Sequence, residues 1–314
     1  MTASPNLVLI GGTGRSGSTL LGLMLGSAEG AFYLGEVAAR YRPWRRHHFV
    51  LECRGCGGVC ETWERLRDLP ERGLHRGVAR RLGVRHVVDS SKYLPWIWDS
   101  DRRARRQGLA VHHVAIWKEP EDLAYSIWKR GGPIGRWERV FASYYRRYFE
   151  LGLPFVATSY RRLASEPEAS LAALCAAVGV PYRPEMLRFW EQPHHHLFAS
   201  ANVRVGGGRP IRPTRLPPVF RDLWADQPPP RPATARLIEE LRAREAADGA
   251  GPRAAAPARR LPPRWYFKAR AVRAFQRFRP ETWEPPSYRL EALAEPEDGA
   301  TEAASGGGGV SCGP

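Results

Sequence analysis

The sequence has no long apolar run. No window approaches the roughly eighteen uninterrupted apolar residues that a membrane-spanning helix needs. The first apolar run, Leu7 to Ile10, is too short for a signal peptide, and no basic segment precedes it. These absences predict a cytoplasmic protein. Hydrophobic residues make up 43% of the chain, which suffices for the core of one large domain or two small ones.

Cysteine is scarce. The chain has five cysteines, and three of them crowd together as Cys53, Cys56 and Cys60. An odd number suits a reducing compartment better than a disulfide framework. Three thiolates at this spacing could bind zinc with His47 or His48 as the fourth ligand, but the chain has no second pair of cysteines. We therefore favour a small flap, rich in Cys and Gly and free of metal, that ends at Trp63.

Acidic residues are outnumbered along the chain. Lys and Arg total 48 against 32 Asp and Glu, and the formal net charge is +16. Such an excess predicts an anionic partner, but charge alone does not distinguish nucleic acid, an anionic membrane and a phosphate-rich small molecule. Residues 253–279 contain no acid at all, and Trp265, Val272, Phe275 and Phe278 recur there near helical spacing. This pattern predicts a basic helix that contacts anionic membrane.

Short β-rich runs alternate with helical stretches, which predicts a parallel α/β sheet. The runs cover residues 6–10, 86–88, 111–117 and 154–158. A helix is expected after the last run, because Ser165 stands three residues before Glu168 as in a capping box and Gly179 ends the apolar pattern. Glycines and repeated prolines over residues 206–232 predict a long loop over the sheet edge.

A glycine-rich turn follows the first apolar run and leads into a Leu-rich helix. This arrangement aims backbone N–H groups and a helix N-terminus at a phosphate. Gly12 and Gly17 have the separation of a Walker A loop, yet the lysine that should follow Gly17 is Ser18. The cation lies inside the loop instead, at Arg15. This change suits a ligand that ends in a phosphate bonded to sulfate better than a nucleoside triphosphate with magnesium.

Residues 13–20 resemble the 5′-phosphosulfate loop of the sulfotransferases that use 3′-phosphoadenosine-5′-phosphosulfate (PAPS), with Gly14 where proline is usual. The stretch from Val114 to Ser126 resembles the family's second signature, which binds the 3′-phosphate: a strand, a proline turn, and a serine eight residues after a basic residue. Lys118 stands where the family has arginine. Lysine keeps the charge but lacks the planar fork of arginine.

Further stretches are similar to the bacterial branch of this family: residues 87–92, 159–164 and 194–204, with Ser200-Ala201 in place of Gly-Gly. Residues 206–212 resemble the flexible basic loop that closes on PAPS. The resemblance implies a P-loop-like fold, a parallel sheet of about five strands with helices on both faces. We expect the catalytic domain to cover residues 1–225. Composition predicts a Pro-rich and basic helical extension over 226–280 and a disordered, acidic, Gly-rich tail over 281–314.

The resemblance also implies ligands. PAPS would be the sulfuryl donor and PAP the product, with no divalent metal required. The acceptor would be a hydroxyl or amine of a carbohydrate, glycolipid, natural product or peptide, and nucleic acid is not an expected partner. The residues that the resemblance assigns to nucleotide binding are Gly14, Arg15, Ser16, Gly17, Ser18, Thr19, Lys118, Ser126, Asn202, Arg204 and Arg209.

Three residues are predicted to be catalytic. Sulfuryl transfer is an in-line displacement, so positioning and cations supply most of the catalysis. Arg15 by its loop position and Lys92 by the resemblance would provide the cations. Glu36 follows the first helix where some sulfotransferases have a Glu, and it is the predicted general base. Histidines are the alternative bases, namely His47, His48, His112, His113 and residues 194–196.

Two other classes of protein remain open at this stage. An atypical P-loop kinase would need a magnesium ligand, for which Asp89 is available, and a phosphate-binding lysine, which is missing after Gly17. A non-catalytic basic protein that binds nucleic acid or anionic membrane through residues 253–279 would explain the charge but not the ordered motifs.

Overall fold

The computed structural model describes residues 4–43, 48, 50–199 and 211–245. The predictions for His47, Asn202, Arg204, Arg209, the basic segment 253–279 and the tail 281–314 lie outside the described residues. The strands are β1 (Asn6–Gly11), β2 (Ala31–Tyr33), β3 (His86–Asp89), β4 (Ala110–Trp117) and β5 (Val156–Ser159). The predicted runs match β1, β3, β4 and β5, and β2 was missed because it has only three residues.

The strands form one parallel sheet in the order β2-β3-β1-β4-β5. Parallel strands need crossover connections, and a helix follows each of the first four strands before the chain re-enters the sheet. The sheet is covered on both faces, because Leu7 and Leu9 of β1 pack into one core layer while Val8 and Ile10 pack into the other. The predicted α/β fold with helices on both faces is confirmed.

The helices fall into two layers. The α-helices are α1 (Ser18–Gly26), α2 (Ala38–Tyr41), α3 (Glu61–Glu64), α4 (Leu74–Leu82), α5 (Leu94–Arg106), α6 (Pro120–Trp128), α7 (Arg136–Glu150), α8 (Tyr160–Ser165), α9 (Pro167–Val178), α10 (Pro218–Ala225) and α11 (Pro232–Ala243). Short 3-10 helices cover Glu71–Gly73 and Pro184–Glu191. Helices α1, α8 and α9 contribute to one core layer, and α2 to α7 with α10 and α11 contribute to the other.

The structure corrects two local predictions. Helix α9 ends at Gly179 as expected, but its N-cap is Glu166 without a side-chain hydrogen bond. Ser165 is the last residue of α8, and a residue that is still helical cannot take the extended conformation of a capping residue. The predicted loop over residues 206–232 contains α10, because proline is tolerated at the first position of a helix and Phe220 packs into the core.

The described chain ends on the edge of the sheet. The Ala157 N–H of β5 donates to the Arg244 carbonyl at 2.8 Å, and the Ser159 N–H donates to the Glu245 carboxylate at 2.7 Å. Helix α11 precedes this contact and packs against α7. Across the described parts of the chain, no helix combines the length and the apolar character needed to cross a membrane.

Candidate active site

The glycine-rich loop lies at the carboxyl end of β1, and β3 and β4 flank this strand. Ligands of α/β sheets bind at this edge, where crossovers leave the central strand in opposite directions. Gly17 has a φ of 101° and precedes α1 without a side-chain cap, and the N-terminus of a helix is a favourable place for an anion. Arg15 is partly buried, and Ser16, Ser18 and Thr19 are buried.

Two tyrosines of α7 hold the loop against the neighbouring strands. The Tyr144 hydroxyl accepts a hydrogen bond from the Gly12 N–H at 2.9 Å and donates one to the Lys92 carbonyl at 2.8 Å. The Tyr145 hydroxyl donates to the Ile116 carbonyl of β4 at 2.9 Å. Burial raises the pKa of both phenols, so both hydroxyls stay protonated and keep donating. Neither residue was predicted from the sequence, because α7 has the pattern of an ordinary amphipathic helix.

Lys92 and Glu36 meet at the first turn of α1. The Lys92 ammonium contacts the Glu36 carboxylate and donates to the Ser18 hydroxyl at 3.2 Å. The backbone of Lys92 is left-handed, with a φ of 57°, which is uncommon for a residue other than glycine and persists only where the surroundings impose it. The hydrogen bond from Tyr144 to the Lys92 carbonyl is part of those surroundings. Three predicted site residues are thus brought together.

Glu36 is held by a second segment of the chain, around Leu197. The Glu36 N–H donates to the Leu197 carbonyl at 2.8 Å, and the Leu197 N–H donates to the Leu34 carbonyl at 3.1 Å. A Cβ at Gly35 would lie 2.1 Å from the Leu197 carbonyl oxygen, and the φ of Gly35 is 76°. Only glycine permits this approach. The pairing with Leu197 therefore fixes where Glu36 stands beside α1.

Asp89, at the end of β3, is engaged by its neighbours on both carboxylate oxygens. One carboxylate oxygen accepts the N–H and the hydroxyl of Ser91. The other accepts the Trp96 indole N–H at 2.8 Å and lies 3.0 Å from His75 Nε2. A carboxylate has about four acceptor positions, so these four partners occupy it. Asp89 is 1% exposed and is a structural residue of the β3 end.

Lys118 follows β4 and approaches the loop through Tyr160. Its Nζ lies 4.7 Å from the centroid of the Tyr160 ring, and a Cβ at Gly17 would lie 2.8 Å from the same ring. Burial lowers the pKa of Lys118 to about 8, while Asp122 raises it and Lys129 lowers it further. A desolvated ammonium interacts strongly with an anion, so a phosphate beside Lys118 would favour its charged form.

The second signature and the basic loop approach the same region. Ser126 is buried on α6, eight residues after Lys118. The Tyr160 hydroxyl donates to the Arg212 carbonyl at 3.3 Å, and Ile211 packs against the core layer that contains α1. The described end of the basic loop thus reaches Tyr160, next to Lys118 and Gly17.

Four of the histidines proposed as alternative bases, His48, His113, His194 and His196, have structural partners among the described residues. His194 Nε2 lies 2.8 Å from the Phe189 carbonyl, His196 stacks on Tyr33 with 5.3 Å between ring centroids, and His113 Nε2 lies 2.9 Å from Asp101. Burial lowers the pKa of His112, with His113 and Arg105 lowering it further. His48 packs edge-on against Phe198.

The structure corrects the expected surroundings of the cysteine cluster. His195, not His48, lies with the three thiols, and its Nδ1 is 4.0, 3.2 and 3.3 Å from the Sγ atoms of Cys53, Cys56 and Cys60. All four ligand atoms lie within 4.8 Å of one another. These four groups are of the kinds that ligate metal ions in proteins. The proximity of His195 to the thiols was missed because it is 135 residues from Cys60 in the chain.

Solved structures of sulfotransferase domains share this fold. A sulfotransferase domain from the curacin biosynthetic pathway superposes with a TM-score of 0.52 at 17% sequence identity, over 77% of this chain and 99% of that domain. The sulfotransferase domain of the Synechococcus PCC 7002 olefin synthase gives a TM-score of 0.51 at 18% identity, over 76% of this chain and 95% of that domain. No family model and no curated protein sequence matches the chain. The predicted resemblance is confirmed at the level of the fold.

Proposed function

We propose that this chain, which has the fold of sulfotransferase domains, transfers a sulfuryl group from PAPS to a hydroxyl or amine. The observation that carries the proposal is the meeting of Lys92, Glu36 and Ser18 at the first turn of α1, directly after the glycine-rich loop. An ammonium and a carboxylate beside an uncapped helix N-terminus combine an anion site with an acid–base pair.

The residues present fit the donor. The loop and the first turn of α1 would hold the 5′-phosphosulfate, and Ser16 Oγ is a buried polar atom without a hydrogen-bond partner among the described residues. Lys118 and Ser126 would hold the 3′-phosphate, where a desolvated ammonium gains most from a negative partner. When bound, PAPS supplies a sulfuryl group attached to a phosphate leaving group.

The side chains around Ser18 have distinct roles in this proposal. The Glu36 carboxylate takes the proton of the acceptor and holds it at its oxygen. Lys92 and Arg15 stabilise the negative charge that develops beside the loop. Because Tyr144 and Leu197 already hold Lys92 and Glu36 in place, little reorganisation is needed during the reaction.

A kinase is disfavoured by two observations. Ser18 stands where a Walker A loop has its lysine. The four hydrogen-bonding partners of Asp89 leave this carboxylate no position for a magnesium ion. For the acceptor we propose a carbohydrate, glycolipid, natural product or peptide.

Calorimetry with PAP, in buffer without added magnesium, tests the donor. We expect the wild-type protein to bind PAP, and Ser126→Ala and Lys118→Ala each to weaken binding by about 1.5–3 kcal/mol, because each removes a charge-assisted contact. Lys129→Ala is the matched control, since Lys129 packs over Tyr125 instead of Tyr160 and the loss of its charge would raise the pKa of Lys118, which does not weaken phosphate binding. Unchanged affinity in both site variants removes the 3′-phosphate assignment. Binding of ATP with magnesium, and not of PAP, replaces the proposal with a kinase.

Transfer of radiolabelled sulfate from PAPS to an acceptor panel tests the reaction. The panel covers the proposed acceptor classes, and we expect labelled product together with release of PAP. Salt-dependent binding of nucleic acid by a protein that does not bind PAP would instead support the non-catalytic alternative.

A further inference from the structure

We propose that one zinc ion binds to Cys53, Cys56, Cys60 and His195 and links two segments that are distant in the sequence. The sulfur atoms come from a loop between α2 and α3, and the imidazole comes from the segment that follows the 3-10 helix Pro184–Glu191. The four ligand atoms lie within 4.8 Å of one another.

The spacing of the ligand atoms matches a tetrahedral site. Zinc bonds of about 2.3 Å to sulfur and about 2.0–2.1 Å to nitrogen, at a tetrahedral angle, place sulfur and nitrogen about 3.6 Å apart. The three distances from His195 Nδ1 to the sulfur atoms run from 3.2 to 4.0 Å, on both sides of this value. One ion can therefore reach all four atoms after small movements of the side chains.

The ligand set selects the metal and its role. Three thiols and an imidazole are the donors of structural zinc sites, whereas oxygen-rich sets favour magnesium or calcium. Four protein ligands complete the tetrahedron and leave no open position for a substrate. The site is therefore structural, and the thiol protons are released when the ion binds.

Backbone contacts around the ligands already form the frame of such a site. The Gly57 N–H donates to the Cys53 carbonyl at 2.8 Å, and Cys53 forms an antiparallel bridge with Gly58. Cys53 and Cys56 therefore lie in one tight turn. The Arg54 N–H donates to the His196 carbonyl at 2.9 Å, and the Trp63 indole N–H donates to the His195 carbonyl at 2.9 Å. The two segments thus meet on both sides of the ligand cluster.

One ligand of the proposed ion belongs to the segment that pairs with the backbone of Glu36. His195 is two residues before Leu197, whose backbone pairs with Leu34 and Glu36. Cys53 also forms a bridge with Leu197. Zinc would therefore hold the segment that places Glu36 beside α1. This consequence rests on the proposed function, whereas the metal site itself does not.

Metal content is the first test. The full chain is purified in reductant without chelator, and elemental analysis is expected to give about one zinc per chain. Replacement by cobalt is expected to produce sulfur-to-cobalt charge-transfer absorption and the d–d bands of a tetrahedral site. A protein that takes up no zinc after incubation with the metal, or that has a disulfide among Cys53, Cys56 and Cys60, overturns the proposal.

Matched alanine variants form the second test. Cys56→Ala removes an exposed thiol of the cluster, and Cys175→Ala makes the same change at a buried cysteine outside it. We expect Cys56→Ala to lose zinc to a competing chelator at least about tenfold more readily than the wild type, and Cys175→Ala to keep one equivalent. Equal retention by both variants excludes Cys56 as a ligand.

Alkylation of the wild-type protein, mapped by mass spectrometry, tests the site even if an alanine variant does not fold. In the wild-type protein loaded with zinc, Cys56 is expected to resist alkylation although its side chain is exposed, and a chelator should restore its reactivity. Rapid alkylation with zinc present counts against the site. The two proposals can fail separately. Stoichiometric zinc without PAP binding overturns only the proposed function, and PAP binding without zinc overturns only the zinc site.

Discussion

Glu36 and Lys92 are 56 residues apart in sequence, yet their charged groups are in contact beside Ser18. If Glu36 is the general base, Glu36→Gln keeps the shape of the side chain and removes its basicity. Turnover with PAPS and an acceptor should then fall by about 10²–10⁴ while PAP affinity stays nearly unchanged. Steady-state kinetics and calorimetry on the same preparation measure the two quantities.

A pH–rate profile separates the base from its partner. Glu36→Gln should shift or abolish the acidic limb, whereas loss of Lys92 should lower the rate without moving that limb. Near-normal turnover of a folded Glu36→Gln protein would exclude Glu36 and pass the role to one of the histidines.

We predict that PAP binding depends on pH because Lys118 titrates. Its pKa of about 8 lies below that of an ordinary lysine because of burial, so the ammonium loses its proton as the pH rises through that value. Below this pKa the free protein already carries the charge that the 3′-phosphate needs, whereas above it Lys118 must take up a proton when the nucleotide binds. PAP affinity should therefore fall above pH 8, by at most about tenfold per pH unit because one proton is involved.

Lys118→Arg is the control for this titration. An arginine stays protonated across the range and restores the residue that the sulfotransferase signature has at this position. We expect PAP affinity of this variant to be flat between neutral pH and the alkaline end of the profile. A decline as steep as that of the wild type would show that another group titrates.

Helix α7 predicts an effect of a different kind, because it positions residues without contacting the reaction. Tyr144→Phe removes one hydroxyl that bonds both the Gly12 N–H and the Lys92 carbonyl. Leaving a buried N–H unpaired costs about 1–3 kcal/mol of stability, and the left-handed backbone of Lys92 loses a support. We expect a lower melting temperature and a kcat that falls more than PAP affinity does.

Tyr148→Phe is the matched change one turn further along α7. Tyr148 is buried and its hydroxyl has no hydrogen-bond partner among the described residues. The removal of this hydroxyl should leave kcat close to the wild-type value. Equal losses in both variants would mean that α7 supports the site through general packing only.

The elements differ in how far sequence patterns predict them. β1, β3 and β4 are apolar runs with clear bounds, whereas β2 is too short to stand out and forms only because β3 is beside it. Helix α10 begins in a proline-rich stretch that disfavours regular structure, and its formation depends on burial of Phe220 against Tyr125 and Trp128. Both β2 and α10 depend on tertiary packing, which patterns of neighbouring residues in the sequence do not reveal.

At the scale of the whole molecule, the C-terminal part is predicted to be separable from nucleotide binding. Deletion of residues 253–314 leaves Arg244 and Glu245 in place on β5 and should spare PAP affinity. The full chain should bind vesicles that contain anionic lipid through its unopposed basic residues, and the truncated chain should not. Calorimetry and vesicle sedimentation measure the two properties.

Deletion from residue 232 onward is the contrasting truncation in that experiment. It removes α11 and the residues that pair with β5, so we expect a loss of thermal stability that the shorter deletion does not cause. A folded protein lacking residues 253–314 that fails to bind PAP would place those residues in the nucleotide site.

The site was predictable where one stretch of chain carries it, and not where distant stretches meet. The residues of the loop and Lys118 could be named because strand, turn and helix follow one another in sequence. The contacts of Tyr144 could not be named, because they bring α7 to a loop that lies 132 residues earlier in the chain. His195 could not be named either. It is far from the cysteines in the sequence, so the nearer His47 and His48 were the candidates for a fourth ligand.

The contact of Arg244 and Glu245 with β5 has a consequence for synthesis on the ribosome. The partner of Ser159 emerges 86 residues after it. At about 5–20 residues per second, the outer edge of β5 stays unpaired for roughly 4–17 s while the rest of the sheet is complete. An open edge invites pairing with a neighbouring nascent chain. Slower translation of the stretch between β5 and α11 should therefore lower the soluble yield, and a chaperone that covers strand edges should restore it.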